Sequence, residues 1–192
     1  MGSRQGLTLI EVALFLCLLG VVSAVSVPTF LRALRTSKMA EAPLELSRIY
    51  AAVAAYYATP QPASSASAPR ADADTSGGRL RCLPEAAGPT PSQPSKDPTQ
   101  IAFAADDTPG APTWRAIAYQ PSAPIRYRYS LLPGDAGCGN LAEDSHGQAV
   151  LSLRAEGDLD GDGVLSQFER SATIRQGELA LDPLLTVRDR VE

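Results

Sequence analysis

The residues best suited to chemistry stand near the carboxyl end of the chain, in the stretch DLDGDGVLSQFE at 158–169. Asp158, Asp160 and Asp162 alternate with other residues, so a tight turn directs their carboxylates to one point. Three carboxylates so close together repel one another unless a cation lies between them. Calcium prefers six to eight oxygen ligands, and carboxylates and backbone carbonyls are common among them. The stretch therefore predicts a Ca²⁺ site.

The spacing fits the twelve-residue calcium loop of an EF-hand at each ligand position, with Gly163 where that loop turns sharply. The candidate ligands are Asp158, Asp160, Asp162, the carbonyl of Val164, Ser166 directly or through water, and a bidentate Glu169. The flanks differ from an EF-hand, because 151–153 has the pattern of a strand and no amphipathic helix follows. We expect a loop at a strand end whose ion stabilises the fold. The alternative is a solvated Asp-Gly turn.

Catalytic chemistry has little support in this sequence. His146 is the only histidine, and it lacks the strand–turn–helix context of a nucleophile site. We find no phosphate-binding glycine loop, dinucleotide fingerprint or zinc-ligand cluster. The formal net charge of −4 also differs from the basic footprint of a nucleic-acid-binding protein. We expect a protein that is not an enzyme.

A long apolar stretch lies at the amino end of the chain. Residues 12–31 carry no charge, and a helix of about 20 residues is about 30 Å long, enough to cross a bilayer core. A secretory signal would be shorter and would end in a small-residue cleavage site. Glu11 stands at the edge of the stretch, where a carboxylate is costly without a partner. The pattern predicts a membrane helix with Glu11 as a functional residue.

The start of this stretch has a recognisable motif. The segment GLTLIE at 6–11, after a short polar leader and before an apolar helix, resembles the class III leader and amino terminus of type IV pilins and type II secretion pseudopilins. The resemblance implies that prepilin peptidase cuts between Gly6 and Leu7 and that Leu7 becomes N-methylated. It also implies that Glu11 pairs with the new amine of a neighbouring subunit during polymerisation. Leu7 departs from the commoner phenylalanine at that position.

The three cysteines divide between the membrane and the soluble part. Cys17 lies within the apolar stretch, where a thiol behaves as a small apolar side chain. Cys82 and Cys138 lie beyond it. An even pair of cysteines beyond a membrane helix predicts a disulfide formed in an oxidising compartment. Two free thiols are the alternative.

The resemblance implies a cellular setting. The precursor would be an inner-membrane protein with one span and its carboxyl side outside, and later part of an extracellular pilus or a periplasmic pseudopilus. Its partners would be further copies or other pilin-like subunits, prepilin peptidase and the inner-membrane assembly platform, with no nucleic acid indicated. The charges disagree: Arg32, Arg35 and Lys38 follow the span, and the positive-inside rule would keep that side in the cytoplasm. We follow the resemblance, which agrees with the cysteine pair.

Three functions remain open at this point. The first is a structural subunit of a type IV pilus or a related filament. The second is a type II secretion pseudopilin. The third, from a different class, is a membrane-anchored calcium-binding module that does not polymerise.

A long helix followed by strand-like segments predicts an α+β fold, which the resemblance specifies as the pilin fold with the helix packed on a small antiparallel sheet. The expected segments are a leader at 1–6, a transmembrane or filament-core helix at 7–31, its amphipathic continuation at 32–57, a Pro/Ser/Ala-rich variable loop at 58–100 and the sheet at 101–192 with the calcium-type loop at 158–169.

Finer elements follow from the periodicity. A stripe at helical spacing predicts the packed face of the continuation, and it consists of Ala42, Leu46, Ile49, Val53 and Tyr56. Pro28 and Pro43 interrupt this pattern, and each is expected to kink or locally break the helix because it removes a backbone donor. Short apolar runs predict strands at 101–103, 114–119, 125–131 and 149–153, and Asp182-Pro183 predicts a turn.

Overall fold

The computed structural model of the chain describes residues 9–62, 79–134, 137–138 and 145–188. The predicted cleavage site at Gly6 and Leu7 lies outside these residues. The chain forms two compact units, Met1–Ala40 and Glu41–Glu192. An apolar helix makes up the described part of the first unit, and the second unit contains a sheet, so the coarse α+β prediction is confirmed.

Helix α1, Leu9–Met39, forms the first unit. Its part Leu9–Phe30 has 22 residues with a mean hydropathy of 2.5 and no buried residue, which is long and apolar enough to cross a membrane. Pro28 lies inside the helix and does not end it, so the helix is not broken there. The next side chain adds local bonds, because Oγ1 of Thr29 donates to the carbonyls of Val25 and Ser26 at 3.0 and 2.9 Å.

The second unit begins with helix α2, Glu41–Ala58. Ala40 separates it from α1, so residues 32–57 are not one continuous helix. Pro43 falls in the first turn of α2, where its missing N–H would have had no helical acceptor. The predicted stripe is buried at its first four positions, but Tyr57 replaces Tyr56 as the last buried member. Both positions fit the helical spacing from Val53, and only packing selects between them.

In the described part of the chain, nine strands and a short helix follow α2. In chain order they are β1 Gln61–Pro62, β2 Arg79–Leu80, β3 Cys82–Leu83, β4 Ala87–Thr90, helix α3 Ala111–Ala116, β5 Arg128–Pro133, β6 Gly137–Cys138, β7 Leu151–Gly157, β8 Ser166–Arg175 and β9 Glu178–Arg188. The main sheet is antiparallel with the order β4-β5-β7-β8-β9. The remaining described strands form the antiparallel pairs β1-β2 and β3-β6.

One face of the main sheet is apolar and packs against α2, and the other is polar. Cross-strand neighbours Leu131 and Leu153 are buried. Alternate residues form ion pairs on the opposite face, where Nε of Arg128 lies 2.7 Å from Oε2 of Glu156. The sheet therefore has one face in the core and one in contact with solvent.

Two of the predicted strands exist near their expected positions. The buried alternation of Ile125, Tyr127 and Tyr129 is confirmed. Strands also lie near 125–131 and 149–153, although each extends further toward the carboxyl end than predicted.

Three finer predictions are wrong. Residues 101–103 form no strand, and 114–119 overlaps helix α3. Trp114 packs edge-on against Phe103 with 5.0 Å between ring centroids, and its Nε1 donates to Oγ1 of Thr90 at 3.0 Å. A short apolar run fits a buried helix as well as a strand, because periodicity alone does not separate the two. The variable-loop region 58–100 also contributes β4 to the main sheet.

The third wrong prediction is the turn at Asp182-Pro183, which lies inside β9. The pairing of β8 with β9 shifts between Arg170–Leu185 and Ala172–Leu181, so β9 carries extra residues at this point. Because β9 is an edge strand, a proline at such a bulge costs no bond of the sheet interior. The chain turns earlier instead, at Gln176-Gly177 between β8 and β9, with φ of 52° and 73°.

Candidate functional site

The predicted calcium loop connects two neighbouring strands of the main sheet. Strand β7 ends at Gly157 and β8 begins at Ser166, and these two residues are cross-strand partners. The Ser166 hydroxyl donates to the Gly157 carbonyl at 3.0 Å, and Ser166 is fully buried. Leu159 is buried as well, so the loop is attached to the core at one internal position and at its closing end.

Three carboxylates converge in this loop. One oxygen from each of Asp158, Asp160 and Asp162 lies within 4.8 Å of the others. Backbone donors hold all three side chains: Oδ1 of Asp158 accepts from the N–H of Gly161 at 2.7 Å, Oδ1 of Asp160 from the N–H of Asp162 at 3.3 Å, and Oδ1 of Asp162 from the N–H of Val164 at 2.7 Å. The side chains of Asp160 and Asp162 are exposed to solvent. The sequence prediction that alternate aspartates share one point is therefore confirmed as geometry.

The sixth predicted ligand lies elsewhere. Glu169 is in β8, opposite Arg154 of β7, and its Oε2 lies 3.4 Å from a guanidinium nitrogen of Arg154. The Gln167 side chain donates to the same oxygen at 3.1 Å. Glu169 follows Ser166 by three positions of strand, a distance of about 10 Å. In an EF-hand a helix returns the twelfth residue to the ion, but here a strand carries it away onto the polar face of the sheet.

A neighbouring cation approaches the loop from another part of the chain. The ammonium of Lys96 donates to the Asp160 carbonyl at 3.2 Å. Sequence reasoning missed Lys96, because it stands in a proline-rich segment with no pattern that relates it to residues 158–166. Its positive charge near the loop partly offsets the repulsion among the three carboxylates.

The donor set of the loop suits a hard cation. Three carboxylates and the backbone carbonyl of Val164, a residue exposed to solvent, offer the oxygen ligands that Ca²⁺ prefers. Ser166 is placed differently, since its hydroxyl hydrogen is already committed to the Gly157 carbonyl and it lies in the core. The geometry thus supports a smaller set of candidate ligands than the sequence motif suggested.

Glu11, the predicted assembly residue, lies in the first turn of α1. Its neighbours Leu9, Ile10 and Val12 are exposed by 88%, 74% and 43%. This helix presents apolar side chains all round, which is typical of a helix that a membrane or other helices cover.

The predicted cysteine pair coincides with a strand pair. Cys82 in β3 stands directly opposite Cys138 in β6. Cys17 is the free cysteine of the described residues, and it is exposed on α1. The Cys138 side chain lies outside the described residues, so its bond to Cys82 stays a prediction.

A buried polar cluster joins α2 to the segment before β5, and sequence reasoning did not find it. Glu45 is 4% exposed; its Oε2 accepts a hydrogen bond from the Tyr119 hydroxyl at 2.7 Å, and its Oε1 lies 2.5 Å from Nη1 of Arg48. Nη1 of Arg48 also donates to the Ser122 hydroxyl at 2.8 Å. Burial, and then the bond to Glu45, raise the pKa of Tyr119 well above its ordinary value. The sequence did offer one signal of this cluster: Glu45 lies three positions after Ala42, on the apolar side of the helix.

Comparison with protein-family models, curated proteins and solved structures finds no match to this chain.

Proposed function

We propose that this chain is a structural subunit of a type IV pilus or a related filament, anchored as a precursor by α1 and polymerised through it. The observation that carries the proposal is the helix Leu9–Phe30, apolar over 22 residues and without a buried residue, with Glu11 near its start. Exposure of this apolar surface to water is unfavourable, and a bilayer or a bundle of identical helices removes it from water. A type II secretion pseudopilin shares every one of these features and remains the alternative.

The second unit supports this role by its construction. Helix α2 buries one stripe of side chains against an antiparallel sheet, which leaves a folded body that begins directly after the apolar helix. The resemblance of residues 6–11 supplies the processing step, in which prepilin peptidase cuts after Gly6. The new amine of Leu7 would then be available to the Glu11 carboxylate of a neighbouring subunit.

The assembly test replaces Glu11 with Gln in the full chain, expressed in cells that carry an active filament machinery. The variant should still enter the membrane, since the change removes a charge from an apolar helix. Its incorporation into sheared filaments should fall at least tenfold. A Thr29→Val variant is the matched control, because it changes one polar side chain of α1 without removing a charge. Equal incorporation of E11Q and wild type would contradict the proposal.

Processing is tested by the mass of the amino-terminal peptide from protein recovered in native membranes. A peptide that begins at Leu7 and carries one added methyl supports prepilin processing. A peptide that begins at Met1 or Gly2 in cells with active prepilin peptidase rules it out and favours the non-polymerising membrane-anchored module.

We further propose that the loop 158–165 holds Ca²⁺ and that the ion stabilises the folded body. The convergence of three carboxylates within 4.8 Å supports this role. An ion at a concentration of about a hundred times its dissociation constant adds about 2.7 kcal/mol to the free energy of unfolding. The melting temperature of the full chain in detergent should therefore rise with Ca²⁺ and fall with a chelator.

Two variants separate the loop from the rest of the motif. Asp160→Asn should reduce the calcium-dependent shift, because it removes one carboxylate of the cluster. Glu169→Gln should retain the shift, because Glu169 contacts Arg154. A melting temperature that calcium and chelator leave unchanged would contradict the calcium proposal, and the filament proposal would be unaffected.

The disulfide Cys82–Cys138 is also proposed. Peptide mapping of unreduced protein should recover both cysteines in one linked pair, and Cys17 should react with a thiol reagent in detergent without prior reduction. Recovery of Cys82 linked to Cys17 would refute the pairing.

A further inference from the structure

The two edges of the main sheet differ. Strand β4 has four residues and contains Pro89, with Pro91 immediately after it, so it offers few backbone donors to another strand. Strand β9 has 11 residues, and no described strand pairs with its outer side. A long edge strand of this kind is a template for pairing with another chain unless something covers it.

The second half of β9 is also apolar and exposed. Leu184 is exposed by 73% and Val187 by 40%. From Leu185 to Arg188 the strand keeps a regular register with β8, so this half of the stretch is already in the conformation of a sheet, whereas residues 182–184 form the bulge of β9. The edge therefore combines an extended backbone with apolar side chains that solvent reaches.

Charged residues stand at both ends of this exposed stretch. Asp182 precedes it, and Arg188 follows six positions later. Within the described part of the chain, Arg188 makes no ion pair. Among the same residues, Asp182 accepts the Leu184 N–H through Oδ1 at 3.0 Å, and its second oxygen is available. The stretch thus has one carboxylate and one guanidinium placed symmetrically about Leu185.

We propose that β9 is the contact surface for a second copy of this chain, paired antiparallel and centred on Leu185. In that register each Arg188 lies opposite the partner copy's Asp182, which gives two ion pairs across the contact. Leu185 meets its own counterpart on the two-fold axis, and Val187 lies opposite Pro183. A strand paired with itself needs such self-complementary ends, and β9 has them.

The register also accommodates the proline. Cross-strand pairs in an antiparallel sheet alternate between hydrogen-bonded and non-hydrogen-bonded. If Leu185 occupies a non-hydrogen-bonded pair on the axis, the pair of Pro183 with Val187, two positions away, is non-hydrogen-bonded too. The missing N–H of Pro183 then costs nothing, and the hydrogen bonds fall to Leu184 with Thr186. Residues 182–184, which form the bulge in the single chain, would straighten in this contact. The Leu184 N–H would then exchange its bond to Asp182 for one to the partner strand as Asp182 pairs with Arg188.

A contact of seven residues on each strand is small, so it is weak for free molecules in solution. Confinement of anchored chains in one membrane raises their effective concentration and favours it. Because the contact is isologous, it closes on itself and does not extend a head-to-tail filament. It goes beyond the polymerisation proposed for α1 and does not need it, but its strength rests on the membrane anchoring proposed for the same helix.

The first test is disulfide cross-linking of the full chain in membranes, in a Cys17→Ala background. Leu185→Cys should cross-link two copies in high yield under mild oxidation, because Leu185 lies on the axis. Leu184→Cys is the matched control: its side chain is exposed by 73%, but in this register it lies opposite Thr186. A yield at least fivefold higher for Leu185→Cys supports the proposal, and a yield that follows exposure overturns it.

The second test exchanges the charges. Asp182→Lys alone and Arg188→Glu alone each place like charges opposite one another twice, so each should reduce the Leu185→Cys yield at least fivefold. When the two variants are co-expressed with different tags, the introduced lysine of one copy lies opposite the introduced glutamate of the other. The native Arg188 and Asp182 of the two copies form the second pair. The mixed dimer should therefore cross-link at the yield of Leu185→Cys with its native charges.

The mixture also separates pairing from folding, because a misfolded chain gains nothing from a partner of opposite charge. Recovery of the mixed dimer supports the antiparallel register. Low yield in both single variants and in the mixture, with both proteins folded by circular dichroism, overturns this register. A single charge variant that cross-links as well as Leu185→Cys with its native charges also overturns it.

Discussion

Gly157 shows how one residue fixes the position of the aspartate loop. It ends β7 directly before Asp158, and a Cβ at this position would lie 2.5 and 2.6 Å from two ring carbons of Tyr127. Tyr127 is fully buried and packs edge-on against Phe168, so the ring has little room to move. Only glycine allows this close approach between the end of β7 and the Tyr127 ring.

Gly157→Ala should lower the free energy of unfolding by about 1–3 kcal/mol, the usual cost of overpacking a core. Gly134→Ala is the control, since a Cβ there meets its nearest atom at 3.6 Å, and it should change stability by no more than about 0.5 kcal/mol. Chemical denaturation of both variants measures the difference. Equal stability would mean that the Tyr127 ring yields.

Two buried tyrosines contrast at the same scale. The Tyr119 hydroxyl donates to Glu45, whereas the buried Tyr129 hydroxyl has no hydrogen-bond partner within the described part of the chain. Tyr119→Phe should cost about 1.5–3 kcal/mol, because the bond is to a charged group. Tyr129→Phe should be neutral or slightly stabilising, because it removes an unsatisfied polar group. The same denaturation measurement compares them, and a reversed order would contradict this account.

At the scale of elements, one side chain connects the beginning of α2 to the segment that leads into β5. Oε1 of Glu41 accepts the backbone N–H of Arg126 at 2.6 Å, and its Oε2 lies 3.2 Å from the guanidinium of Arg126. The carboxylate also stands in the first helical turn, where negative charge is favourable. Glu41 is thus a structural connection between α2 and the segment that leads into β5.

Glu41→Ala should destabilise the second unit by about 1–3 kcal/mol, since it leaves the Arg126 N–H without its acceptor. Glu41→Gln keeps an acceptor oxygen and should cost less. Hydrogen exchange of the Arg126 amide provides a local readout: protection should fall strongly in the alanine variant and partly in the glutamine variant. Unchanged protection in both would show that Glu41 is dispensable.

At the scale of the whole molecule, buried tyrosines link stability to alkaline pH. Burial, the largest cause in each case, raises the pKa of Tyr127 to about 12 and the pKa values of Tyr119 and Tyr129 further. In the unfolded chain these hydroxyls ionise near a pH of about 10. Above that pH the unfolded state releases protons that the folded state retains, so the contribution of these groups to stability is complete below a pH of about 10 and declines as the pH rises toward about 12.

The free energy of unfolding, measured by denaturation at several pH values, should therefore be constant through neutral pH with respect to these groups and decrease above a pH of about 10. Tyr127→Phe should reduce that decrease by up to about 1.4 kcal/mol per pH unit, because one linked proton is removed. An identical decline in wild type and variant would mean that Tyr127 ionises equally in both states.

The sequence by itself determined what depends on local pattern. The apolar run over Leu9–Phe30 is a property of composition, and the helical stripe of α2 and the alternation at 125–129 are short-range periods that burial confirms at nearly every position. The convergence of Asp158, Asp160 and Asp162 is also local, because a tight turn of five residues brings alternate side chains together.

The tertiary structure decided whether segments with ambiguous local patterns became helix, strand or turn. Glu169 lies away from the aspartate cluster because a strand pairing with β7, rather than a helix, follows Ser166. The run 114–119 overlaps a helix, in which Trp114 packs on a distant aromatic ring. Asp182-Pro183 lies within a strand, because an edge of the sheet accepts a bulge.

The tertiary structure alone also supplied the partners of several polar side chains. Lys96, Glu41 and Tyr119 acquired their hydrogen-bond partners across 64, 85 and 74 positions of the chain. No local period records such contacts, since they arise from packing whole elements together.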